Sequence, residues 1–225
     1  MKKILFAFSA LLINFGLLAQ YSITASTGLE AGLGTEISSR NTINLGLELP
    51  ESESHTLKLG FNYFLPIKNI DRGTINAELK PEYTGQGSSI ISVPITENIS
   101  QYSFSFGRRN YILNTYDDGL SFYYGSNTRI SMVNDVIRIG EFDTEKYFIP
   151  EYNVLPGKLS YQSFLLGLGL SGGVKYQLAP HLRSAIFLDV LTEYNIMIYD
   201  KVGVYGSIVS PINLSFRIGY RYDFF

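Results

Sequence analysis

The chain has 225 residues, a formal net charge of −2 and no cysteine. The weak charge excludes the strongly basic surface that nucleic-acid-binding proteins present, and the missing cysteine excludes a disulfide framework and thiol catalysis. Seventeen tyrosines, fifteen phenylalanines and 21 glycines, with no tryptophan, are typical of a β-rich protein.

The N-terminus has the pattern of a secretory signal peptide. A basic segment, residues 1–3, precedes an apolar run over residues 4–18 and the small residue Ala19. We expect a signal peptide over residues 1–19, cleaved after Ala19, and a single mature domain over residues 20–225. The alternative is a membrane anchor, but the apolar run is shorter than the ~20 residues that a spanning helix needs. No later segment is apolar enough for such a helix, so a mature chain embedded in a membrane must be a β-barrel.

The mature chain repeatedly places apolar side chains at every second position, the period of a β-strand with two different faces. The pattern predicts eight strands. They cover residues 21–29, 42–49, 56–65, 101–107, 120–132, 163–178, 183–193 and 212–225. The strand over residues 163–178 is the clearest, because seven apolar residues alternate there with small and polar ones.

The connections between these strands alternate in length. Short turns are predicted near residues 50–55, 114–119 and 179–182, and outer connections at residues 30–41, 66–98, 133–161 and 194–211. Bacterial outer-membrane barrels have short periplasmic turns, longer outer loops and both termini in the periplasm. We therefore expect an all-β, transmembrane, antiparallel up-and-down barrel. Ten strands are the alternative to eight, with a hairpin over 186–199 and 202–212 continuing above the membrane.

A soluble barrel or sandwich would also show alternation, with its apolar face turned inward. Such a protein exposes a richly charged outer face. In this sequence the polar faces consist mainly of Gly, Ser, Asn and Thr, and charged residues make up 17% of the chain, against ~25% in ordinary soluble domains. Small polar residues suit the narrow interior of an eight-stranded membrane barrel. The composition favours the membrane barrel, in the outer membrane of a Gram-negative bacterium.

The turn over residues 177–182 and the closing strand over residues 217–225 resemble the small outer-membrane barrels common in Bacteroidota, including PorT-like and OmpX-like proteins. The resemblance implies that the barrel assembly machinery recognises the last strand by its terminal aromatic residue and the alternate apolar residues before it. The assembly signal implied here consists of Tyr220, Tyr222, Phe224 and Phe225. The register departs from the family pattern, because the apolar series ends at Phe224 and Phe225 falls in the polar series.

Charged residues on the polar faces would lie inside the barrel, where they must be paired or hydrated. The candidate acids are Glu30, Glu48, Asp189 and Glu193, and the candidate bases are Lys58, Arg109, Arg129, Lys175, Arg183, Arg217 and Arg221. We expect these residues to form a salt-bridged plug that closes the lumen. A proton or ion path is the alternative.

The long outer connections suggest a structural or interaction role, in which residues 66–98 and 133–161 contact another outer-membrane or surface protein. Candidate contact residues are Tyr147, Phe148 and Tyr152. Outer-membrane lipid and the barrel assembly machinery are the other expected partners, and nucleic acid is not expected.

The alternative function is that of a carrier of a small apolar ligand, or of a lipid-modifying barrel. Such a barrel would need an inward apolar cluster, for which Phe64, Leu165, Phe187 and Leu191 are the candidates. The two histidines, His55 and His181, fall at predicted periplasmic turns, far from the outer leaflet. We expect no enzymatic activity, no catalytic residues, no cofactor and no metal site.

Overall fold

A computed structural model describes residues 21–33, 39–114, 119–150, 156–179, 182–200 and 210–224. The expected signal peptide therefore lies outside the described residues. The strands are β1 (Tyr21–Leu33), β2 (Ser39–Ser52), β3 (His55–Leu79), β4 (Ile90–Leu113), β5 (Leu120–Ile139), β6 (Tyr147–Phe148), β7 (Gly157–Ala179), β8 (Ser184–Asp200) and β9 (Ile212–Phe224). Within the described part of the chain, no helix has both the length and the apolar character needed to cross a membrane.

All strands except β6 form one closed antiparallel ring, in which each strand pairs with its neighbours in the sequence. Pairing of β1 with β9, from Tyr21 opposite Phe224 to Leu33 opposite Ile212, closes the ring. The predicted eight-stranded up-and-down barrel is confirmed. Each residue of a strand has a partner on the next strand, and these partners can be followed once around the ring. Starting at Ser22 of β1, they lead back to Gly32 of β1, so the ring is staggered by ten residues. This stagger requires the strands to tilt against the barrel axis.

The side chains alternate as the sequence predicts over the part of the barrel next to the chain termini. Outward residues are large, apolar and exposed, as at Phe104 (65% exposed) and Leu170 (73% exposed), while inward residues are polar and buried. A soluble barrel would bury its apolar face, and soluble proteins rarely expose a continuous apolar belt of this kind. The outward belt therefore faces lipid.

Two pairs of strands are much longer than the sequence analysis predicts. Residues 66–98 and 133–161 were expected to be loops, and this expectation was wrong over most of residues 66–98 and about half of residues 133–161. Strand β3 continues to Leu79 and β4 begins at Ile90, while β5 continues to Ile139 and β7 begins at Gly157. In β3, three register shifts and positive φ angles at Asn69 (55°) and Gly73 (80°) break the period of two that marks a strand.

The other two outer connections are also shorter than expected. Strand β1 extends to Leu33 and β2 begins at Ser39, and β8 extends to Asp200. Residues 34–38 and 201–209 lie outside the described residues. The first arm of the hairpin considered for a ten-stranded barrel, residues 186–199, belongs to β8 of the ring, whereas most of the second arm, residues 202–212, lies outside the described residues.

At one level of the barrel, the apolar and polar faces of the strands exchange sides. Side chains at this level are cross-strand partners on the outer surface: Tyr63, Tyr102, Met132, Phe164 and Tyr199. Below this level, outward residues are apolar and inward residues are polar. Above it, outward positions carry Asn98, Ser100, Asn134 and Arg138, and inward positions carry Ile95, Ile99, Val133 and Ile137. The level marks the outer edge of the apolar belt.

The described residues above this level, 66–100, 133–150 and 156–162, are called the platform below. It has its own hydrophobic core, formed by Ala77, Val93, Ile95, Ile137, Ile139 and Ile149. Ile149 comes from the segment between β5 and β7, and the same segment forms β6, which pairs with the tip of β3. The segment is therefore packed onto the platform by apolar burial and by backbone hydrogen bonds.

Candidate functional site

The charged residues inside the barrel form two clusters, and the lower cluster, nearer the termini, is centred on Arg109. One terminal nitrogen of Arg109 lies 3.1 Å from Oε2 of Glu48, and the other lies 2.6 Å from Oδ2 of Asp189. Lys58 Nζ lies 3.2 Å from the same oxygen of Asp189. One guanidinium thus joins carboxylates of β2 and β8 across the lumen, a geometry that its fixed fork of donors allows.

Hydroxyl groups complete the coordination of both carboxylates. Thr56 Oγ1 and the Tyr111 hydroxyl donate to Oε1 of Glu48 over 2.6 and 2.8 Å. The Tyr123 hydroxyl donates to Oδ1 of Asp189. A buried carboxylate is stable only when such donors replace its lost water.

Aromatic rings fill the space around the lower cluster. The Arg109 guanidinium lies 4.3 Å from the ring centre of Tyr123 and 5.4 Å from that of Phe187. The Tyr111 and Tyr123 rings pack with their centres 5.4 Å apart, and Lys175 Nζ lies 5.8 Å from the Tyr111 ring. Cations over aromatic faces are stabilised electrostatically when solvent is excluded.

The upper cluster is centred on Arg129 of β5. Its two terminal nitrogens lie 2.6 Å from Oε2 of Glu30 and 2.8 Å from Oε2 of Glu193. Glu30 also accepts a hydrogen bond from the side-chain amide of Asn213 over 2.8 Å and from the Ser215 hydroxyl over 3.0 Å. The cluster links β1, β5, β8 and β9 across the lumen.

A separate ion pair lies at the periplasmic mouth. Arg221 Nε is 2.8 Å from Oδ1 of Asp223, and the Ser22 hydroxyl donates to the same oxygen over 2.6 Å. Because these residues belong to β9 and β1, the contacts bridge the first and last strands of the ring.

Comparison with known proteins shows which fold this is. No protein-family model matches the chain, and no curated protein matches it. Neisserial surface protein A is similar in structure, with a TM-score of 0.51 and 12% identity, covering 91% of this chain and 97% of its own. A major outer membrane protein from Thermus thermophilus gives a TM-score of 0.53 and 16% identity, covering 91% of this chain and 98% of its own.

The chain has the fold of a small outer-membrane β-barrel. At these identities the likeness carries the fold and not the activity. The chemistry of the lumen must therefore be argued from the residues themselves.

The structure places the eight residues predicted for the lumen network as follows. Glu48, Lys58 and Asp189 belong to the lower cluster, Arg129 and Glu193 belong to the upper cluster, Arg221 pairs with Asp223, Lys175 lies beside the Tyr111 ring, and Arg217 lies between the two clusters. Arg183 was also expected to be a lumen base, and this was wrong. It is an exposed turn residue with a φ angle of 48°, just before β8.

The sequence analysis missed the uncharged members of both clusters and one acid. These are Thr56, Tyr111, Tyr123, Asn213, Ser215 and Asp223. Each lies an even number of residues from a predicted lumen charge on its own strand, so the period of two would have found them. The predicted lumen set contained only charged groups, although hydroxyl and amide groups are what satisfy buried charges. Asp223 was missed because only acids on other strands were paired with Arg221.

The four aromatic residues proposed as an assembly signal divide into two groups. Tyr220, Tyr222 and Phe224 lie on the outward face of β9, where the Phe224 ring stacks on that of Tyr21 at 5.0 Å. Phe225 lies outside the described residues. Their recognition by the assembly machinery stays a prediction.

The candidates for an apolar ligand site do not form one cluster in the described structure. The ring centre of Phe64 lies 5.3 Å from the Arg129 guanidinium, and Phe187 lies beside Arg109. Leu165 packs with Ile99 and Val133 near the outer edge of the belt. All four are buried, but Leu165 packs in a small hydrophobic cluster, Phe64 and Phe187 lie beside arginines, and Leu191 lines a cavity together with Arg217.

The two histidines were expected at periplasmic turns. His55 follows the β2–β3 turn, where its Nδ1 lies 3.0 Å from the Ser52 hydroxyl and 2.8 Å from that of Ser54. His181 lies outside the described residues. Across those described residues, no group of three metal-ligating side chains comes together.

Proposed function

We propose that this protein is a closed barrel of the Gram-negative outer membrane that presents the platform to another surface protein. The observation that carries this proposal is the platform itself. A barrel that served only as a membrane plug would not need four strands extended beyond the apolar belt around a separate hydrophobic core. Such a core gives a stable surface, and rigid presentation lowers the entropy cost of binding.

The tip of the platform carries the charged and aromatic side chains that would contact a partner protein. It consists of two turns, residues 80–89 and 140–148, joined by a hydrogen bond from the Lys80 amide to the Lys146 carbonyl over 2.8 Å. Exposed acids stand on it: Glu82, Glu141, Asp143 and Glu145. A complementary partner would present a basic patch, since opposite charges guide association.

Two aromatic residues at the tip pack partly against the platform itself. Tyr147 and Phe148 are half-buried in β6, where they pair with the end of β3. Tyr152 lies outside the described residues. We propose that Tyr147 and Phe148 contact a partner through their exposed edges, beside the acids.

Two further partners belong to the proposal. Outer-membrane lipid covers the outward apolar belt, and the barrel assembly machinery recognises β9 through Tyr220, Tyr222 and Phe224. A relationship to the PorT-like barrels of Bacteroidota is likewise proposed on the turn over residues 177–182 and the closing strand. A non-enzymatic role is supported by the position of His55, which is held by turn hydroxyls at the end opposite the platform.

We predict that the purified protein gives no steady conductance in a planar bilayer. The lumen contains crossing ion pairs and aromatic rings, and the cavity beside the lower cluster measures about 20 Å³, room for roughly one water molecule. A general porin inserted under the same conditions is the control for detection. Reproducible channel steps that scale with the amount of inserted protein would contradict a closed lumen.

Site-specific crosslinking in intact cells tests the partner. We predict that a photoreactive residue replacing exposed Glu145 at the tip gives one discrete protein adduct. The same residue replacing exposed Glu53, in the β2–β3 turn at the opposite end, should not give that adduct. The adduct should weaken when Glu82 and Glu141 are both changed to Lys, because the electrostatic attraction is then reversed. Absence of an adduct at residue 145, or the same adduct at both positions, would contradict the proposal.

A further inference from the structure

Arg217 is a buried cation that stands apart from the ion pairs of the lumen. It lies on β9, with Gly28 of β1 and Asp189 of β8 as its cross-strand neighbours. Its side chain is 8% exposed. Among the residues that the structure describes, no carboxylate lies within ion-pair distance of its guanidinium, and its Nε has no hydrogen-bond partner.

The neighbouring carboxylates already bind other donors, which explains why Arg217 has no carboxylate partner. Asp189 receives Arg109 and Lys58 on one oxygen and the Tyr123 hydroxyl on the other. Above Arg217, both oxygens of Glu30 are taken by Arg129, Asn213 and Ser215. Arg217 cannot displace these donors without leaving another buried group unsatisfied.

A small cavity lies beside Arg217 and is positively charged. Its lining includes Lys58, Arg109, Asn127, Ser171, Asp189 and Arg217. Three cations of this region, Lys58, Arg109 and Arg217, face two carboxylates, because Glu48 is the second partner of Arg109. The two carboxylates of the upper cluster do not supply the missing charge, because Glu30 and Glu193 face Arg129 and Glu30 also has Arg40 as its cross-strand partner. One positive charge therefore remains unbalanced in a low-dielectric interior, an arrangement that is costly without a compensating anion.

The size of the cavity restricts the anion. About 20 Å³ accommodates a particle close to the size of a water molecule. A monatomic anion fits this space, whereas a tetrahedral oxyanion or an organic acid would require the ion pairs to separate. The hydroxyl of Ser171 supplies one neutral donor, and the side-chain amide of Asn127, which gives one N–H to Oε1 of Glu193 over 2.6 Å, has a second N–H.

We propose that one small monovalent anion, of the charge and size of chloride, binds in the lumen beside Arg217 and completes the charge balance of the lower cluster. This site is independent of the platform and of its partner. The anion is a structural component of the plug, and it does not provide a route for ions through the barrel.

Thermal unfolding of the full-length mature protein in detergent tests this proposal. At equal ionic strength, the unfolding temperature should be higher in sodium chloride than in sodium gluconate, whose anion is too large for the cavity. At a chloride concentration ten times the dissociation constant, we expect a difference of roughly 3–6 °C. Arg217→Gln should abolish this difference, whereas Arg138→Gln, at an exposed outward position of the platform, should preserve it.

A second measurement decides the proposal even if Arg217→Gln does not fold. Crystals of the unmodified protein grown in bromide should show an anomalous scattering peak in the lumen next to Arg217. Equal unfolding temperatures in the two salts, a chloride effect that persists in Arg217→Gln, or a lumen without a bromide peak would each overturn the proposal.

Discussion

Replacing Asp189 by alanine is expected to lower the free energy of unfolding by roughly 3–5 kcal/mol, because the change leaves buried cations without their partner. Arg109 would lose one of its two carboxylates, and Lys58 would lose the carboxylate that lies 3.2 Å away. The Tyr123 hydroxyl would also lose its acceptor. Equilibrium unfolding in denaturant, starting from the protein in lipid vesicles, measures the change.

The matched control is an ion pair with similar geometry outside the lumen. Arg108 Nε lies 2.9 Å from Oε2 of Glu51, but both side chains are exposed, at 54% and 42%. Glu51→Ala should therefore change stability by less than about 1 kcal/mol. Similar losses in the two variants would show that water reaches Asp189 and that the lumen is not a dry plug.

Replacing Ile137 by alanine is expected to cost about 2–5 kcal/mol of local stability in the platform, the usual range for truncating a buried isoleucine. Ile137 is 1% exposed and packs in the core with Ile95 and Ile149. Because the platform core is separate from the ion pairs of the lumen, we expect the loss to be confined to residues above the belt. Hydrogen exchange should show faster amide exchange over residues 90–97 and 140–150, with unchanged protection in β9.

The neighbouring residue provides the control for this second prediction. Val136 points to the other face of β5 and is only half-buried, so Val136→Ala should have a much smaller effect. If Ile137→Ala instead accelerates exchange around the entire ring, the platform and the barrel unfold as one cooperative unit. That result would contradict the description of the platform as a separate core.

Residue patterns were sufficient to predict the ring. The period of two assigns each residue of a strand to one face, and a slip by one residue would place charges in lipid and apolar groups in the lumen. The predicted terminal strand over residues 212–225 begins at Ile212, as β9 does in the structure, and its last residue, Phe225, lies outside the described residues. Its inward Arg217 and Arg221 and outward Phe216 and Ile218 follow from alternation alone.

The platform shows where the same reasoning failed. In β5 the alternation continues through Val133 and Ile137, but apolar side chains now point inward and polar ones outward. The prediction looked for strands whose outward face is apolar. Such strands are found only within the apolar belt, because the surroundings of the barrel change from hydrocarbon to water at its edge. Above that level the strands follow the rule of soluble proteins, with the apolar face buried.

The sequence by itself determined the closed antiparallel ring and the inward face of the charges that form the two lumen clusters, because these depend only on local period and on short turns. It favoured eight strands and left ten as the alternative. Which charges meet was decided by the tertiary structure. Arg129 and Glu30 are 99 residues apart in the chain, and their contact depends on the stagger and width of the closed barrel. The isolation of Arg217 was decided in the same way, because it follows from the competition of Arg109, Lys58 and Tyr123 for one carboxylate on a different strand.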